Sequence, residues 1–487
     1  MAGATAMIEH SKKFYIGGSW VDSSSFDLRD VINPATEEVI CQVAMGGAGD
    51  IDRAVTAARR AFDTYSNLSV EDRAGLIERI ISRCEAQADE LAKIASTEMG
   101  SPIKFSREAQ VARMIGNMKA VVATLRVYEF YKPMDGAVII REPIGVCGLI
   151  SPWNWPLAAF ATKLVTALAA GCTAVFKPSE YSPLSALKMA EIIHDSGLPA
   201  GVFNLVNGEG PVAGAALTVH PDVDMISFTG SVRAGIQIAK SGADTVKRVV
   251  QELGGKSANV IVPGADLAKA VPVGLLRCFA NTGQSCQAPS RMLVHRSQRD
   301  EAVALAKRAA ESIKIGNPFD AGVSMGPLAS KMQFEKVQGM IAKGIEEGAT
   351  LVTGGLGRPH ELNRGYFVKP TVFADVTPQM TIGKDEIFGP VLSIMTYETD
   401  DQAVEIANGT NYGLAGYVQS ADIERGKKIA FRLRAGRIYF NDAPTMDTPA
   451  ERNAPFGGYK HSGNGRQQGT FGLEEYLEVK AMMNFPT

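Results

Sequence analysis

The sequence predicts an α/β protein with two α/β domains in tandem, each built around a parallel sheet. From residue 144 onward, short apolar runs alternate with segments of helical periodicity, and a second such series begins near residue 256. This alternation is typical of βαβ units. The chain of 487 residues is also too long for one simple core, because single cores stop growing at about 250–300 residues.

The segment before residue 144 has a different pattern. Residues 14–45 are expected to form short strands and turns, after which Asp50 is expected to cap a first helix. A second helix opens at Ser69 with a capping box and is expected to end at Gly100. Residues 131–141 are predicted to form a hairpin.

The two α/β series place their strands at apolar runs. In the first series the predicted strands are residues 146–150, 174–177, 202–206 and 225–228, each followed by a helix. In the second series they are residues 259–262, 292–294 and 391–397. A final strand is predicted at residues 476–483.

Composition and charge exclude several classes of partner. Hydrophobic residues make up 45% of the chain, charged residues 21%, and the formal net charge is −2, which gives no reason to expect nucleic acid or an anionic membrane. The six cysteines include no C-x-x-C pair, so neither a disulfide framework nor a metal site is expected. Without a membrane-spanning apolar run or a signal-type N-terminal segment, a reducing, cytoplasmic location is expected.

Four short motifs contain residues suited to catalysis or ligand binding, and they follow one another along the chain. They are Pro-Trp-Asn-Trp-Pro at residues 152–156, Gln-Glu-Leu-Gly-Gly-Lys at 251–256, Asn-Thr-Gly-Gln-Ser-Cys at 281–286 and Glu-Ile-Phe-Gly-Pro at 386–390. In this order they resemble the NAD(P)-dependent aldehyde dehydrogenase superfamily, non-acylating type. The resemblance extends from about residue 13 to the C-terminus. It implies two Rossmann-like α/β domains, cofactor-binding and catalytic, with a small β bridging and oligomerisation element.

The resemblance also implies the limits of these parts. Residues 1–123 and 144–254 would form the NAD-binding domain, residues 255–465 the catalytic domain, and residues 124–143 with 466–487 the bridging element. In the family this bridging sheet continues across a subunit interface. Because an exposed strand edge is a template for pairing, a homodimer or homotetramer is expected.

Two glycine-containing turns compete for the pyrophosphate of the cofactor. Residues 208–213 fit the G-x-G-x-x-A fingerprint, with Pro211 suited to a first helical turn, but they follow the third strand of the series rather than the first. At residues 228–231 a strand again enters a helix, where backbone amides and the Ser231 hydroxyl can hold a phosphate. The resemblance assigns the pyrophosphate to this second turn and places the first beside the adenine. Alternatively, both are only tight βα turns.

The cofactor is expected to be NAD, with NADP possible. Lys177 ends the second strand of the series, Glu180 follows shortly after it, and both can reach a ribose diol. A carboxylate accepts from a 2′-hydroxyl and repels a 2′-phosphate, so Glu180 favours NAD, whereas Lys177 can pair with that phosphate. The alternative is a solvated pair at the strand end. By resemblance, Glu386 and Phe388 hold the nicotinamide ribose and ring. The other predicted cofactor-binding residues are Ile150, Ser151, Pro152, Trp153, Ser179, Gly210, Pro211, Phe228, Gly230, Ser231 and Leu253.

Cys286 is the predicted nucleophile. Gly283 allows an unusual backbone path before it, and the small Ser285 leaves room for a substrate. Attack of the thiolate on an aldehyde carbon gives a thiohemiacetal, whose oxyanion would be held by the Asn154 amide and the Cys286 backbone N–H. Hydride transfer then leaves a thioester, and Glu252 is the predicted base for its hydrolysis.

Glu252 also bears on which reaction is expected, because CoA-acylating relatives generally lack a glutamate at this position. Lys163 matches the family lysine that helps to organise the site. Each of these residues also has a non-catalytic alternative. Asn154 could be a turn former, Glu252 a solvated charge on a Gly-rich turn, and Lys163 a residue on a helix face. For the whole chain the alternatives are a CoA-acylating or phosphorylating enzyme, a non-enzymatic NAD-binding scaffold, or a thiol hydrolase.

The sequence says least about the substrate. By resemblance, the substrate tunnel is lined by Trp155, Ala159, Thr162, Ser285, Gln287 and Phe456. The small side chains at 159 and 162 should widen the entrance, so a bulky aldehyde, aromatic or a long semialdehyde, is expected rather than acetaldehyde. The loop at 442–453 brings Met446 and Arg452, and Arg452 either pairs with a substrate carboxylate or is a solvated surface residue.

Overall fold

The computed structural model describes residues 8–25, 27–441 and 448–485. Its strands are β1 (Lys13–Ile16), β2 (Ser19–Asp22), β3 (Leu28–Asn33), β4 (Glu38–Ala44), β5 (Tyr131–Met134), β6 (Ala137–Pro143), β7 (Val146–Ile150), β8 (Thr173–Lys177), β9 (Phe203–Leu205), β10 (Met225–Thr229), β11 (Arg248–Glu252), β12 (Ala258–Ile261), β13 (Arg291–His295), β14 (Thr350–Thr353), β15 (Thr371–Ala374), β16 (Val391–Tyr397), β17 (Ala415–Gln419), β18 (Arg437–Phe440), β19 (Gly463–Asn464) and β20 (Leu477–Met483).

The α-helices are α1 (Ala48–Ser66), α2 (Val70–Ala86), α3 (Ala88–Met99), α4 (Ile103–Phe105), α5 (Ala112–Val127), α6 (Pro156–Phe160), α7 (Thr166–Ala170), α8 (Pro183–Asp195), α9 (Ala215–Val219), α10 (Val232–Gly242), α11 (Leu267–Phe279), α12 (Arg299–Glu311), α13 (Lys331–Glu346), α14 (Thr381–Lys384), α15 (Asp400–Asn408), α16 (Ile423–Ala430), α17 (Pro449–Asn453) and α18 (Gly469–Glu474). π-Helical segments precede α5 (Ser106–Val111), α7 (Ala161–Val165) and α9 (Gly210–Gly214).

The first sheet is built around parallel strands in the order β11–β10–β7–β8–β9. β1 joins antiparallel beside β9, and β19 joins antiparallel beside β11. The chain winds from β7 through β8 to β9, and then returns to place β10 on the other side of β7. The boundary between β7 and β10 is therefore the topological switch point, where ligands of doubly wound sheets bind.

The second sheet has the order β14–β15–β16–β13–β12–β17–β18, and its strands are parallel except for β14 at one edge. β12 is the first strand of this sheet in the sequence. It lies in the interior of the sheet, between the later strands β13 and β17. The expectation of two α/β sheets in tandem is confirmed, and every predicted strand of both series has a counterpart.

A third, antiparallel sheet has the order β20–β6–β5. β20 pairs with the whole of β6, from Leu477 opposite Pro143 to Met483 opposite Ala137. The predicted hairpin and final strand are thereby confirmed. The limits of the domains remain predictions.

Apolar side chains cover both faces of each large sheet. All residues of β7 and β8 are buried, as expected for parallel strands with helices on both sides. Separate apolar clusters lie on the two faces of the first sheet and of the second. Among the described residues, no helix is both long and apolar enough to cross a membrane.

Two expectations about helix ends were wrong. The first helix begins at Ala48 with Gly47 as its N-cap, so Asp50 is not the cap. The Asp50 carboxylate instead lies in the first turn and accepts from the backbone N–H groups of Gly47 (3.1 Å) and Ser24 (3.0 Å). A carboxylate is favourable there because the N–H groups of the first turn lack helical partners.

The second helix does not continue to Gly100. Ser69 does cap α2, accepting from the Asp72 N–H, but α2 ends at Ala86 and the separate helix α3 follows. Gln87 leaves the helical region at φ −112° and ψ 20°. Since glutamine is a good helix former, no local signal marks this break.

Candidate active site

The predicted site residues meet between the two large sheets. Glu252 ends β11 at the carboxyl edge of the first sheet, and Cys286 lies just before β13, at the amino edge of the second. Glu252 was expected on a Gly-rich turn, and this was wrong: it is the last residue of a strand, paired with Thr229 of β10. A strand position fixes the backbone of this carboxylate more firmly than a turn would.

The backbone before Cys286 is strained. Asn281, Thr282 and Gly283 all adopt left-handed conformations, with φ of 54°, 57° and 72°. For the β-branched Thr282 this is a genuine outlier, and such strain persists only where the surroundings enforce it. A Cβ on Gly283 would lie 2.2 Å from the Gly389 carbonyl group, so only glycine fits at this position.

Gln284 holds this loop in place. Its side-chain Nε2 donates to the Asn281 carbonyl (3.1 Å), and its Oε1 accepts from the Ala329 N–H (2.9 Å). The Thr282 hydroxyl donates to the Gly326 carbonyl at 3.2 Å. Buried hydrogen bonds of this kind enforce the unusual path that presents Cys286.

Cys286 is a protonated thiol at rest. Burial, followed by the negative charges of Glu252 and Glu386, raises the pKa of Cys286 to about 12. The backbone N–H groups of Cys286 and Gln287 face the sulfur and act in the opposite direction. The thiolate is the nucleophilic form, so its proton must leave as the sulfur attacks.

Asn154 is rigidly oriented beside the cysteine loop. Its buried side-chain amide donates to the Gln284 carbonyl at 2.9 Å, which leaves its second N–H free of that bond. Its backbone carbonyl accepts from Asn281 (2.9 Å) and from Gln110 (3.2 Å) in the π-helical segment before α5. A donor fixed in this way costs little reorganisation when charge develops on an oxygen.

Glu252 is a buried carboxylate without a hydrogen-bond partner among the described residues. It is 2% exposed, and neither oxygen is paired. Burial raises the pKa of Glu252 well above its ordinary value, while Lys163, Arg466 and Arg437 oppose this shift. A carboxylate whose pKa is raised is a stronger base, and its two unpaired oxygens can still accept hydrogen bonds.

Lys163 lies in the π-helical segment between α6 and α7, a type of irregularity that is frequent at functional sites. It is fully buried, and its ammonium group donates to the Ser227 hydroxyl at 2.9 Å. Burial lowers the pKa of Lys163 to about 7, against the charge of Glu252. The alternative of a lysine on a solvated helix face does not fit this burial.

The carboxyl edge of the first sheet carries the predicted cofactor residues. Ser231 caps α10 next to the β7–β10 switch point, and its hydroxyl accepts from the Ala234 N–H. The Gly230 N–H donates to the Glu252 carbonyl, so it is not directed at a phosphate. Gly210 and Pro211 open the π-helical segment after β9, two strands from β7. The switch point therefore favours the turn at Ser231.

Lys177 is the last residue of β8, and Ser179 and Glu180 follow it, as predicted. The Lys177 ammonium is 2% exposed and donates to the carbonyls of Pro178 (2.7 Å) and Gly208 (2.6 Å), with Glu180 at 3.5 Å. The solvated-pair alternative fails for Lys177, since this cation is buried and ties the strand end to the first glycine turn. The Glu180 carboxylate keeps an oxygen for a ribose hydroxyl.

On the opposite wall, Glu386 accepts from the Gly255 N–H at 2.9 Å. Trp153 and Phe388 meet edge to face with ring centroids 5.3 Å apart, and Phe388 has a left-handed φ of 61°. The other predicted residues, Ile150, Ser151, Pro152, Phe228 and Leu253, lie at the strand ends of the same edge.

Five of the predicted substrate residues lie beside Cys286 in the chain or in the helical segment that follows Asn154. The Trp155 indole N–H donates to the Ser285 hydroxyl at 3.0 Å. Ala159 is buried in α6, and Thr162 follows it in the adjoining π-helical segment. The Gln287 side chain accepts from the Tyr439 hydroxyl at 3.1 Å, which fixes it in place.

Two residues expected near the substrate, Phe456 and Arg452, each pack against another part of the chain. Phe456 lies in a bridge with Gln467, under the Arg437 guanidinium. Arg452 is not a freely solvated side chain, because its guanidinium packs against Gly116 of α5. Met446 lies outside the described residues.

Sequence reasoning missed several contributors. Gln284 and Asn281 belong to the cysteine motif. Their polar side chains could therefore have indicated the hydrogen bonds that hold the loop. Ser227, which receives the Lys163 hydrogen bond, lies within β10 and carries no motif. Gly457, where a Cβ would lie 2.8 Å from a Glu252 oxygen, comes from a distant segment.

The protein has two doubly wound α/β sheets. Between them lie a thiol, a carboxylate and a sheet edge of the kind that binds nucleotides. Together these features define an α/β oxidoreductase. Residues 20–482 match the model of the Aldehyde dehydrogenase family, and the chain belongs to that family.

Individual relatives cover nearly the whole chain. A 3-succinoylsemialdehyde-pyridine dehydrogenase from Pseudomonas sp. is 49% identical over 97% of this chain and 98% of its own length. The structure of aldehyde dehydrogenase C from Pseudomonas syringae, in complex with NAD⁺ and octanal, has a TM-score of 0.96 at 50% identity, covering 98% of this chain and 97% of that one. Betaine aldehyde dehydrogenase from Staphylococcus aureus, in complex with NAD⁺, has a TM-score of 0.93 at 36% identity, covering 98% and 95%.

Proposed function

We propose that this protein oxidises an aldehyde to the free carboxylic acid with NAD, by a non-acylating route. The observation that supports this most directly is the buried, unpaired carboxylate of Glu252, whose charge acts on the Cys286 thiol. A base in that position can activate water against a thioester on the cysteine. Transfer of the acyl group to CoA or phosphate would not need it.

Cys286 starts the reaction when its sulfur attacks the aldehyde carbon and its proton passes to water. The carbonyl oxygen then becomes an oxyanion. The second N–H of the Asn154 amide and the backbone N–H of Cys286 are the donors proposed to hold it. The strained loop and the Gln284 anchor keep these donors in place before substrate arrives.

The hydride that leaves the thiohemiacetal carbon passes to the nicotinamide of bound NAD. Cys286 then carries a thioester. Glu252 takes a proton from water, the hydroxide attacks the acyl carbon, and the acid leaves as the thiolate is regenerated. Lys163 is proposed to position Glu252, since its buried ammonium acts on this carboxylate and is held by Ser227.

NAD is the proposed cofactor rather than NADP. Glu180 is placed to accept from a 2′-hydroxyl and to repel a 2′-phosphate. Lys177 is engaged by two backbone carbonyls and by Glu180, so it is less available to a 2′-phosphate than the sequence alone indicated. Related structures that contain NAD⁺ support the same choice.

The proposed substrate is a bulky or long aldehyde. Small residues at 159 and 162 leave space beside the Trp155 wall. The relative named for a pyridine-bearing semialdehyde and the relative bound to octanal are consistent with such a substrate. A cytoplasmic location is proposed on the cysteine pattern alone.

An aldehyde panel tests the proposed function. With NAD, and with neither CoA nor phosphate added, we expect the free acid to form. Catalytic efficiency should be at least about tenfold higher for octanal or an aryl aldehyde than for acetaldehyde, because each buried methylene contributes about 0.8 kcal/mol, and turnover with NADP should be slower. The measurement is reduced-cofactor absorbance together with chromatography of the product. An absolute requirement for CoA would refute the proposal, and a preference for acetaldehyde would refute the substrate class.

We further propose that the chain assembles as a homodimer or homotetramer through the β20–β6–β5 sheet. Both outer strands of this sheet have an open edge in the described chain. β20 exposes Val479 (63%) and Met483 (70%). Apolar side chains on an open strand edge favour pairing with another chain.

Sedimentation velocity tests the assembly. The intact chain should sediment as a dimer or tetramer, and the double variant Val479→Glu, Met483→Glu should shift toward monomer because charge is buried at the contact. The control is Leu276→Glu, at an exposed apolar position on α11, which should leave the assembly unchanged. A monomeric intact chain at micromolar concentration would contradict the proposal.

A further inference from the structure

A small cavity lies at the amino edge of the second sheet, and Cys286 is not among its lining residues. Its polar lining residues are Lys256, Ser257, Arg291, Asn408, Tyr412 and Arg434, and the other lining residues are alanine, leucine or glycine. About 20 Å³ is open to the centre of a water-sized sphere. A space of this size holds one or two waters or a small ion.

The lining of this cavity is cationic. It includes one lysine and two arginines, and no acidic side chain among the described residues that form it. Arg291 is fully buried and fixed by the carbonyls of Lys256 (2.9 Å), Ile406 (2.7 Å) and Ala407 (2.7 Å). Its charge therefore cannot turn away from the cavity.

Two buried donors in the lining lack acceptors. The Lys256 ammonium belongs to a side chain that is 1% exposed, and the Ser257 hydroxyl to one that is 3% exposed. Neither atom has a hydrogen-bond partner among the described residues. A buried charge without a partner is costly. Lys256 and Ser257 are neighbours in sequence and both line this cavity, so their unpaired donors indicate a ligand that accepts hydrogen bonds.

We infer that this cavity binds a small monovalent anion, such as chloride, between the Lys256 ammonium and the Ser257 hydroxyl. Water could satisfy the hydroxyl, whereas an anion would also bring a negative charge to Lys256 and Arg291, in addition to the charges of Glu386 and Asp385 that act on Lys256. A larger anion such as phosphate exceeds the space.

The anion site is connected to the active site through one turn. Lys256 follows Gly255, whose N–H donates to Glu386 and whose backbone lies against the Cys286 carbonyl. The Ser462 hydroxyl donates to the Gly254 carbonyl and accepts from the Gly413 N–H in the cavity wall. An anion that holds Lys256 in place thus also fixes the turn beside Glu386.

Binding should depend on pH. Burial lowers the pKa of Lys256 to about 7; Arg291 acts in the same direction, while Cys278, Glu386 and Asp385 oppose it. The ammonium form is needed to bind the anion. Affinity is therefore expected to be constant below about pH 7 and to fall by up to about tenfold per pH unit above it.

The test uses the full chain and chloride as the probe, with gluconate as the oversized anion at the same ionic strength. We expect chloride, but not gluconate, to raise Tm saturably at pH 6.5, and a crystal soaked in bromide to show anomalous density beside Lys256. Ser257→Ala should weaken the chloride midpoint about tenfold, and Lys256→Met should abolish the effect. Lys331→Met, at an exposed lysine on α13, should behave like the unaltered chain.

Each other outcome rejects the anion site. Equal Tm shifts in chloride and gluconate, or bromide-soaked crystals with water only in the cavity, would overturn it. Because Lys256→Met alone can disturb folding, Ser257→Ala decides the matter: it removes only a hydroxyl, and an unchanged chloride midpoint in that variant also rejects the proposal.

Discussion

Cys286→Ala should abolish aldehyde oxidation while NAD still binds. Alanine removes the sulfur that forms the covalent bond but keeps the backbone N–H, so the left-handed loop at 281–283 and the Gln284 anchor should persist. Loss of a covalent nucleophile is expected to lower kcat on the order of 10⁴-fold or more. Steady-state absorbance of the reduced cofactor measures the rate, and calorimetric titration with NAD measures binding.

A matched control separates the thiol chemistry from simple loss of a cysteine. Cys278 is also buried, and burial raises its pKa to about 12, yet it lies in an apolar cluster, where its sulfur donates to the Val391 carbonyl. Cys278→Ala should retain activity within a few-fold. Substantial turnover by Cys286→Ala, or equal losses in the two variants, would remove Cys286 from the proposed role.

The sequence motifs predicted which residues form this site better than they predicted its geometry. The residues between Asn281 and Cys286 could be identified from the sequence because a glycine, amides and a cysteine stood together. The left-handed Thr282 could not, because that conformation is disfavoured for threonine. It is imposed by Gly326, Gly389 and Ala329, which come from elsewhere in the chain.

The same contrast holds for the fold: features with a local cause were predicted, and features that depend on distant residues were missed. Hydrophobic runs predicted the strands of both sheets, since buried parallel strands are continuously apolar. The strand position of Glu252 was missed because its partners are Thr229 and Gly463, which are distant in sequence. The break at Gln87 was missed because tertiary packing, and not a glycine or proline, separates α2 from α3.

The anion cavity lies wholly beyond what sequence patterns reveal. Lys256 belongs to a motif recognised for its glutamate, and nothing in that motif indicates an unpartnered ammonium. The cavity exists only because residues near 256, 291, 410 and 434 converge at one sheet edge. Such convergence depends on strand order, which a linear pattern does not contain.

Glu252→Gln should separate the two halves of the reaction. The amide has nearly the shape of the carboxylate but cannot accept a proton from water. Acylation should therefore proceed and release about one reduced cofactor per active site in a rapid phase, after which steady turnover falls by about 10²–10⁴-fold. Stopped-flow absorbance measures both phases, and mass spectrometry of the quenched variant should find the acyl group on the peptide that contains Cys286.

The pH profile and a control variant complete this test. Because burial raises the pKa of Glu252, and the base acts only when deprotonated, the steady rate of the unaltered enzyme should rise with pH through that raised pKa. This limb should vanish in Glu252→Gln. Glu191→Gln, which changes a carboxylate on α8 whose pKa burial also raises, should keep both the limb and the steady rate. An unaltered steady rate in Glu252→Gln, or acyl adducts on no cysteine, would show that the carboxylate at the end of β11 does not activate the water.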